Sequence, residues 1–345
     1  MTSRERLLTA MTMGTPDRVP VAPFGLGLIP TDSPLAEELI EKTDIIIPVS
    51  GGGDPFLGKR EVHSETKDNI TTVTIPTPKG DLIQRTKRTE KTAAPIEFCF
   101  KSEADVEKFL SLPYESPDVD LSSFHSWRDR VGDRGLVMVG VPDGICLPAI
   151  YYSPEMFCLA WADSPDILTE LTRLGTCRVN DFVQRLCEAG ADAFRIIGGE
   201  YASVQLGPRA FNELCRDTDR EMVDVMRSHG AISYYHNHGK VMSYLPDLAA
   251  IGIDALDPLE APPWGDVDLA EARRTLGDSV CMVGNLDDME VLDSLDEATV
   301  RHIARERLAA AGKKGFVLGG TASGTFGDRA ARNFIAMVRV AEEMA

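Results

Sequence analysis

Short apolar runs rich in β-branched residues recur along the chain, and most are followed by a stretch of helical periodicity. From residue 135 onward these runs are nearly continuous rather than alternating, which is typical of parallel strands buried on both faces. Eight runs are predicted as strands, at Arg18–Gly25, Thr43–Ser50, Gly135–Pro142, Ala193–Glu200, Ala231–His238, Asp254–Glu260, Val280–Asp287 and Gly315–Thr321. Eight strands with crossover helices is the number in an α/β protein of the (β/α)8 TIM-barrel class.

Helices are predicted in the gaps, and those at Val241–Ile251 and Glu297–Ala311 end at a glycine that suits a helix C-terminus. The predicted helices are Pro208–His229, Val241–Ile251, Glu297–Ala311 and Arg329–Met344. An open doubly wound sheet is the alternative, but it would normally carry a Gly-rich phosphate turn after its first strand. The chain has only Gly25 and Gly27 there, followed by Pro30, so the barrel is the prediction.

Residues 51–134 interrupt the alternation, because they separate the second and third predicted strands by some eighty residues. Their first half predicts a β-hairpin, with strands Asn69–Pro76 and Asp81–Thr89. Helices are predicted at Glu103–Leu110 and Phe124–Val131. Because insertions between barrel strands usually cap the active-site end, we expect one barrel domain over residues 1–345 with this segment as its cap.

Charge and composition narrow the classes of partner. The 36 Lys and Arg against 54 Asp and Glu give a net charge of −18, which argues against nucleic-acid or anionic-membrane binding. No apolar stretch is long enough to span a bilayer, and the charged start predicts no export signal. Seven scattered Cys without a CxxC pair indicate free thiols in a reducing cytoplasm.

The most informative chemistry lies at the end of the fifth predicted strand. Barrel enzymes place their reactive groups at the C-terminal ends of the strands. His236 and His238 are two of only six His, and residues i and i+2 of a strand point to the same side. The pair therefore indicates a divalent-metal or acid–base site. The structural alternative is that one of them is a hydrogen-bonded core histidine.

Other polar residues follow the remaining strand ends. Glu200 is a candidate metal ligand or general acid or base, with a salt bridge to a neighbouring Arg as the structural alternative. Glu260 and Trp264 flank a Pro pair that would stiffen a wall of the site, although a surface turn fits equally well. Asn285 is a candidate catalytic or substrate-orienting residue, whereas Asp287 suits a helix cap at least as well as a substrate contact.

Two further segments carry weaker signals. Tyr151 is a candidate substrate contact, although aromatic residues at such positions are more often packed in the core. The Gly-rich segment 319–327 precedes the last helix, where barrels often bind an anion.

Several segments together resemble the uroporphyrinogen decarboxylase superfamily: RERLLTAMTMGTPDRVPV, GVPDGICLPAIYYSPE, YYHNHGKVMSYLPDLAAIGIDALDPLE and the order GNLD then GFVLGGTAS. The resemblance covers essentially the whole chain and implies a (β/α)8 barrel. It implies one of two chemistries, porphyrinogen decarboxylation or corrinoid-dependent methyl transfer assisted by zinc. The decarboxylases carry an Arg-rich segment after the first strand, but this chain reads VAPFGLGLIPTD there. The methyltransferase branch is therefore favoured.

The resemblance also implies zinc ligands, and the chain departs from both ligand patterns of that branch. Thiol-methylating members have His-x-Cys and a later Cys, whereas this chain has His236 and His238, with Ala322 or Ser323 at the later position. Demethylases of phenyl methyl ethers have Glu, fourteen residues, Glu, twenty residues, His. Here Glu200 and His236 match, and Cys215 replaces the middle Glu inside a predicted helix.

The resulting hypothesis is a methyltransferase of a corrinoid-dependent demethylation system. It would move a methyl group from a small methylated compound, with an aromatic methyl ether as one candidate, to a separate corrinoid protein. Glu200, His236 and His238 would hold zinc, with His236, Glu200 and Asn285 as catalytic residues. Glu260, Tyr151, Trp264 and Asp287 would bind substrate. The alternatives are a metal-free decarboxylase or lyase acting on a small carboxylic acid, and a non-catalytic sensor. The methyl donor and the oligomeric state, including a homodimer, stay open.

Overall fold

A computed structural model describes residues 1–90, 92–321 and 325–345. The strands in these residues are numbered in chain order. They are β1 Val21–Ala22, β2 Ile45–Ser50, β3 His63–Lys67, β4 Ile70–Ile75, β5 Leu82–Arg88, β6 Ala93–Glu97, β7 Gly135–Pro142, β8 Ala193–Ile197, β9 Ile232–His236, β10 Ala255–Asp257, β11 Cys281–Asn285 and β12 Phe316–Gly319.

The helices of the described residues are α1 Ser3–Met11, α2 Pro34–Lys42, α3 Glu103–Leu110, α4 Ser122–Val131, α5 Cys146–Tyr151, α6 Pro154–Asp163, α7 Pro165–Glu188, α8 Gly199–Gln205, α9 Pro208–Phe211, α10 Asp217–Ser228, α11 Leu245–Ile251, α12 Leu269–Leu276, α13 Glu297–Ala311 and α14 Asp328–Glu343. Short 3-10 segments lie at Gly132–Arg134 and Met242–Tyr244, and π-helical segments at Asn212–Arg216 and Asp288–Leu292. Among the described residues, none of the helices combines the length and apolar composition that a membrane span requires.

Eight parallel strands form the barrel, in the order β1-β12-β11-β10-β9-β8-β7-β2. The first and last strands of this order close the ring, because the Asp44 N–H donates to the Val21 carbonyl over 2.8 Å and the Gly25 N–H donates to the Ile46 carbonyl over 2.7 Å. All eight predicted barrel strands are present, so the prediction of a (β/α)8 barrel is confirmed.

Small and medium apolar side chains fill the lower barrel, and α1 seals the end where the strands begin. Leu7, Ala10 and Met11 of α1 belong to the same buried cluster as the inward-facing strand residues. Asp44, fully buried before β2, accepts hydrogen bonds from Arg6 and Arg18, each over 2.6 Å. This closed end leaves the opposite end, where the strands finish, as the place for a site.

The predicted hairpin in the insertion is the centre of a four-stranded antiparallel sheet, in the order β3-β4-β5-β6. The edge strands β3 and β6 were not predicted, because HSETK and AAPIE are almost wholly exposed and carry no apolar alternation. The insertion packs on the segment after β7. The Phe100 N–H donates to the Tyr151 carbonyl over 2.9 Å, and the Phe100 ring contacts those of Phe109, Tyr151 and Tyr152.

Six predicted strands run past the observed strand ends, and four of these differences move candidate residues into loops or helices. β8 ends at Ile197, and Gly198, at φ +139°, turns the chain so that Glu200 lies in the first turn of α8. His238, Glu260 and Asp287 likewise follow their strands instead of ending them. The predicted helix Pro208–His229 is α9, a π-helical segment and α10 in succession.

Candidate active site at the barrel mouth

The centre of the site is a histidine–carboxylate pair on two neighbouring strands. His236 ends β9 and lies in register with Asp257, which ends β10. Its Nδ1 is 3.0 Å from both carboxylate oxygens of Asp257, and the two residues are 5% and 0% exposed. Because an acceptor this close favours a proton on Nδ1, the lone pair of His236 is on Nε2. That arrangement suits either a metal ligand or a general base.

A second histidine–carboxylate pair, His238 with Glu260, lies in the loops that follow β9 and β10. The His238 Nδ1 is 3.0 Å from Glu260 Oε1, and the Gly239 N–H donates to Glu260 Oε2 over 2.7 Å. The Glu260 hydrogen bond raises the pKa of His238 above its ordinary value, against the effect of burial. Burial alone would raise the pKa of Glu260, but these hydrogen bonds bring it below its ordinary value. The rings of His236 and His238 are 4.3 Å apart between centroids.

Two other predicted residues present buried oxygens that have no hydrogen-bond partner in the described part of the chain. Asn285 ends β11 and donates through Nδ2 to the Leu259 carbonyl over 2.8 Å, which leaves its Oδ1 unpaired. Glu200 has an unpaired Oε2, and its charge is one of those that raise the pKa of His238. Both groups are therefore available to a ligand or a metal.

The geometry brings His236 and His238 together, but it does not draw Glu200 into a compact set with them. Within the described residues, one group of His, Cys, Asp or Glu has at least three ligand atoms within 4.8 Å of one another, and it consists of Asp143, Cys215 and Asp219.

This buried acidic cluster lies on the outer face of β9. Burial raises the pKa of Asp143 well above its ordinary value and that of Asp219 to about 7, although Tyr235 donates to Asp219 over 2.6 Å. The sequence analysis named only Cys215 of these three residues. Asp143, directly after β7, could have been found by the same strand-end argument that selected Glu200.

The remaining predicted substrate contacts are more peripheral. Trp264 is 57% exposed and lines, with Glu260 and Asn285, a cavity of about 110 Å³. Asp287 caps the following turn, since its Oδ1 accepts from the N–H groups of residues 289 and 290 over 2.9 and 2.6 Å. Tyr151 is buried in the aromatic contact with the insertion. Of the Gly-rich segment 319–327, residues 322–324 lie outside the described residues, and with them both Ala322 and Ser323.

The sequence analysis did not select Arg195 in the middle of β8, although it is the single charge in an apolar run. The guanidinium carbon lies 4.5 Å from the centre of the Phe24 ring. Arg195 also lines a cavity of about 410 Å³, together with the segment that follows β1, the middle of β2 and Trp127.

Parts of this chain are similar in sequence or in fold to known proteins. The family model described as uroporphyrinogen decarboxylase (URO-D) matches residues 153–344. A curated uroporphyrinogen decarboxylase of Chlorobium phaeovibrioides is 34% identical over 110 residues, so the match covers 32% of this chain and 29% of that protein. A solved methyltransferase from Methanosarcina mazei has a TM-score of 0.68 at 16% identity, covering 100% of this chain and 99% of that one. A putative vitamin-B12 independent methionine synthase from Listeria monocytogenes has a TM-score of 0.46 at 15% identity, covering 66% and 71%.

Proposed function

Because this chain belongs to the uroporphyrinogen decarboxylase family, whose match covers more than half of it, we propose an enzymatic function within that family. The proposed activity is methyl transfer from a small methylated compound, with an aromatic methyl ether as one candidate, to a corrinoid carried by a partner protein. The observation that carries the proposal is the pair of histidines at the barrel mouth, each held through Nδ1 by its own carboxylate.

The two histidines at the mouth have the donor chemistry of a zinc site, although in the described residues their ligand atoms and those of Glu200 do not all lie within 4.8 Å of one another. Since His236 and His238 use Nδ1 for Asp257 and Glu260, both can present Nε2, the usual result of a carboxylate behind a metal-binding histidine. Glu200 adds a buried carboxylate oxygen that has no hydrogen-bond partner among the described residues. Two imidazoles and a carboxylate form a common catalytic zinc set that keeps one position open. When bound, zinc supplies Lewis-acid polarisation of the heteroatom that carries the methyl group.

The chain's own side chains position the substrate. The unpaired Oδ1 of Asn285 accepts a hydrogen bond from it, while the Leu259 carbonyl holds the amide in place. Glu260, whose pKa is lowered, stays ionised and keeps His238 oriented. Trp264, Asp287 and Tyr151 stay predicted substrate contacts. We treat residues 1–345 as one barrel domain whose insertion, residues 51–134, forms a cap, and the corrinoid protein would dock at the strand ends.

Zinc analysis of purified protein tests the metal site. We expect stoichiometric zinc in the wild type and a loss of zinc in His236→Ala, because the buried ligand is removed. His302→Ala is the matched control, since His302 lies on the exposed face of α13 with a 74% exposed side chain. Equal zinc content in the wild type and His236→Ala would contradict the assignment. Methyl transfer is then measured from methylated compounds to cob(I)alamin by the absorbance of methylcobalamin.

A metal-free decarboxylase or lyase is the second candidate. The observation in its favour is the His236–Asp257 pair itself, because a buried histidine held by a carboxylate also suits proton transfer. Release of carbon dioxide from a small carboxylic acid that continues in the presence of a chelator would favour this candidate. Methylcobalamin formation that the chelator abolishes would favour the first.

A further inference from the structure

Arg195 is a cation inside the barrel without a counter-charge. In β8 it lies in register with Tyr234, one of the inward-facing residues of β9. In the described part of the chain it forms no ion pair and no hydrogen bond, its Nε is buried without a partner, and its guanidinium lies over the Phe24 ring. The residue is partly buried, and a buried Nε without an acceptor is costly. An anionic partner from outside the chain would relieve that cost.

The space beside Arg195 has the dimensions and surface of a small-molecule site. The cavity of about 410 Å³ lies within the range of ligand pockets. Its walls are mainly apolar, with the rings of Phe24 and Trp127 and the side chains of Leu26, Ile29 and Ile47. Among the described residues of this lining, Arg195 is the only charged one. One guanidinium among apolar groups matches a ligand with one negative charge and an apolar body.

The strand register places Arg195 relative to the histidines. In the pairing of β8 with β9, Arg195 faces Tyr234 and Ile197 faces His236. Arg195 is therefore one inward-facing layer below His236, about 6.6 Å along the strands at the usual rise per residue. Asp257, the inward-facing carboxylate at the end of β10, is bonded to His236 rather than to Arg195. A ligand held by Arg195 would therefore lie one layer below the histidines.

We propose that Arg195 binds the carboxylate of a small monocarboxylic acid whose apolar body lies between Phe24 and Trp127. A carboxylate matches the two parallel N–H donors of a guanidinium, whereas a phosphate ester would need further donors or a second cation that this lining lacks. The proposal names the substrate class of the proposed active site and rests on that function for the reaction that follows. The binding step itself does not depend on it.

Calorimetric titration with benzoate and with benzamide, its uncharged counterpart, tests the assignment on the purified protein. We expect the wild type to prefer benzoate, and Arg195→Gln to bind benzoate about 10- to 100-fold more weakly while its affinity for benzamide is unchanged. Arg195→Lys should recover part of the benzoate affinity. Arg209→Gln is the matched control, because Arg209 also lies over an aromatic ring, that of Trp161, but on the surface.

No preference of the wild type for benzoate over benzamide would overturn the proposal, even if Arg195→Gln failed to fold. An equal loss of both ligands in a folded Arg195→Gln, with an unchanged melting temperature, would also overturn it. The two proposals fail separately. Benzoate binding that depends on Arg195, without methyl transfer from any donor, supports the carboxylate subsite and contradicts the methyltransferase. Methyl transfer from uncharged donors, together with benzoate binding that does not depend on Arg195, supports the methyltransferase and contradicts the carboxylate subsite.

Discussion

Replacing Asp257 by Asn should weaken zinc binding at His236 without removing a ligand. The two side chains have nearly the same shape, and Asp257 is fully buried under His236. The His236 Nδ1 is 3.0 Å from both oxygens, so the substitution leaves one acceptor and replaces the other by an N–H donor. The change removes the negative charge behind the imidazole and lets the amide favour the opposite tautomer.

The magnitude follows from the kind of hydrogen bond that is lost. A hydrogen bond to a charged group is worth about 1.5–3 kcal/mol and a neutral one about 0.5–1.5 kcal/mol, so the difference is about 1–1.5 kcal/mol. That corresponds to about a tenfold weaker affinity for zinc. If the Asn amide turns its N–H₂ toward the ring, the proton moves to Nε2 and the loss approaches the upper end of the range for such partners, about 100-fold.

Competition with a chromophoric chelator at pH 7 measures the zinc affinity of each variant. Asp254→Asn is the control, because Asp254 lies at the opposite end of the same strand and bonds to Ser233 instead of a histidine. Glu260→Gln, at the more exposed His238, should have a smaller effect than Asp257→Asn. An Asp257→Asn protein with the affinity of the wild type would refute the view that Asp257 sets the tautomer of a zinc-binding His236.

Three further predictions concern the rest of the chain. Asp44→Ala should lower the free energy of unfolding by about 3 kcal/mol or more, because it leaves the buried Arg6 without this partner. Asp17→Ala should lower it by about 1 kcal/mol or less, because the Asp17 side chain is 44% exposed. Urea denaturation of the two variants compares these free energies. Burial raises the pKa of Asp219 from 3.8 to about 7, so its contribution to stability is full below pH 4 and is lost as the pH rises through 7. The melting temperature of chelator-treated wild type should therefore fall more between pH 5.5 and 8.5 than that of Asp219→Asn. A thiol reagent should modify Cys177 first, since it is the one exposed cysteine of the described residues, and Cys177→Ser should abolish the fast phase.

The barrel could be predicted because its strands are buried on both faces. Runs such as GLVMVGVP stay apolar without alternation, and Gly135–Pro142 is the observed strand β7 residue for residue. The strand ends were harder to predict, because the loops at the mouth begin with residues that strands also accept. His238 and Glu260 extend the alternating pattern of their strands in sequence, although in the structure they lie in the loops beyond.

The candidate site could be predicted only where its residues follow strands. His236 and Asn285 end β9 and β11, so a strand-end argument finds them. The contact between His236 and Asp257 depends on the register of β9 with β10, which a local sequence pattern does not predict. The cluster of Asp143 with Cys215 joins segments more than seventy residues apart. Cys215 lies in a π-helical segment, which the helical periodicity of the sequence does not predict.

Strand β9 contributes to both polar groups at this end of the barrel, the histidine site inside it and the acidic cluster outside it. Alternation along β9 directs Tyr234 and His236 into the barrel and Tyr235 toward the helices, where it bonds to Asp219. The turn after β8 lies against that outer face so closely that a Cβ on Gly199 would be 2.2 Å from the Tyr235 hydroxyl. Glu200 is the next residue, so the close contact of Gly199 with Tyr235 also positions the Glu200 backbone at the start of α8. A slip of β9 by one residue would exchange its two faces, so that His236 would leave the barrel interior, Asp257 would lose its partner and Tyr235 would no longer lie against the turn before Glu200.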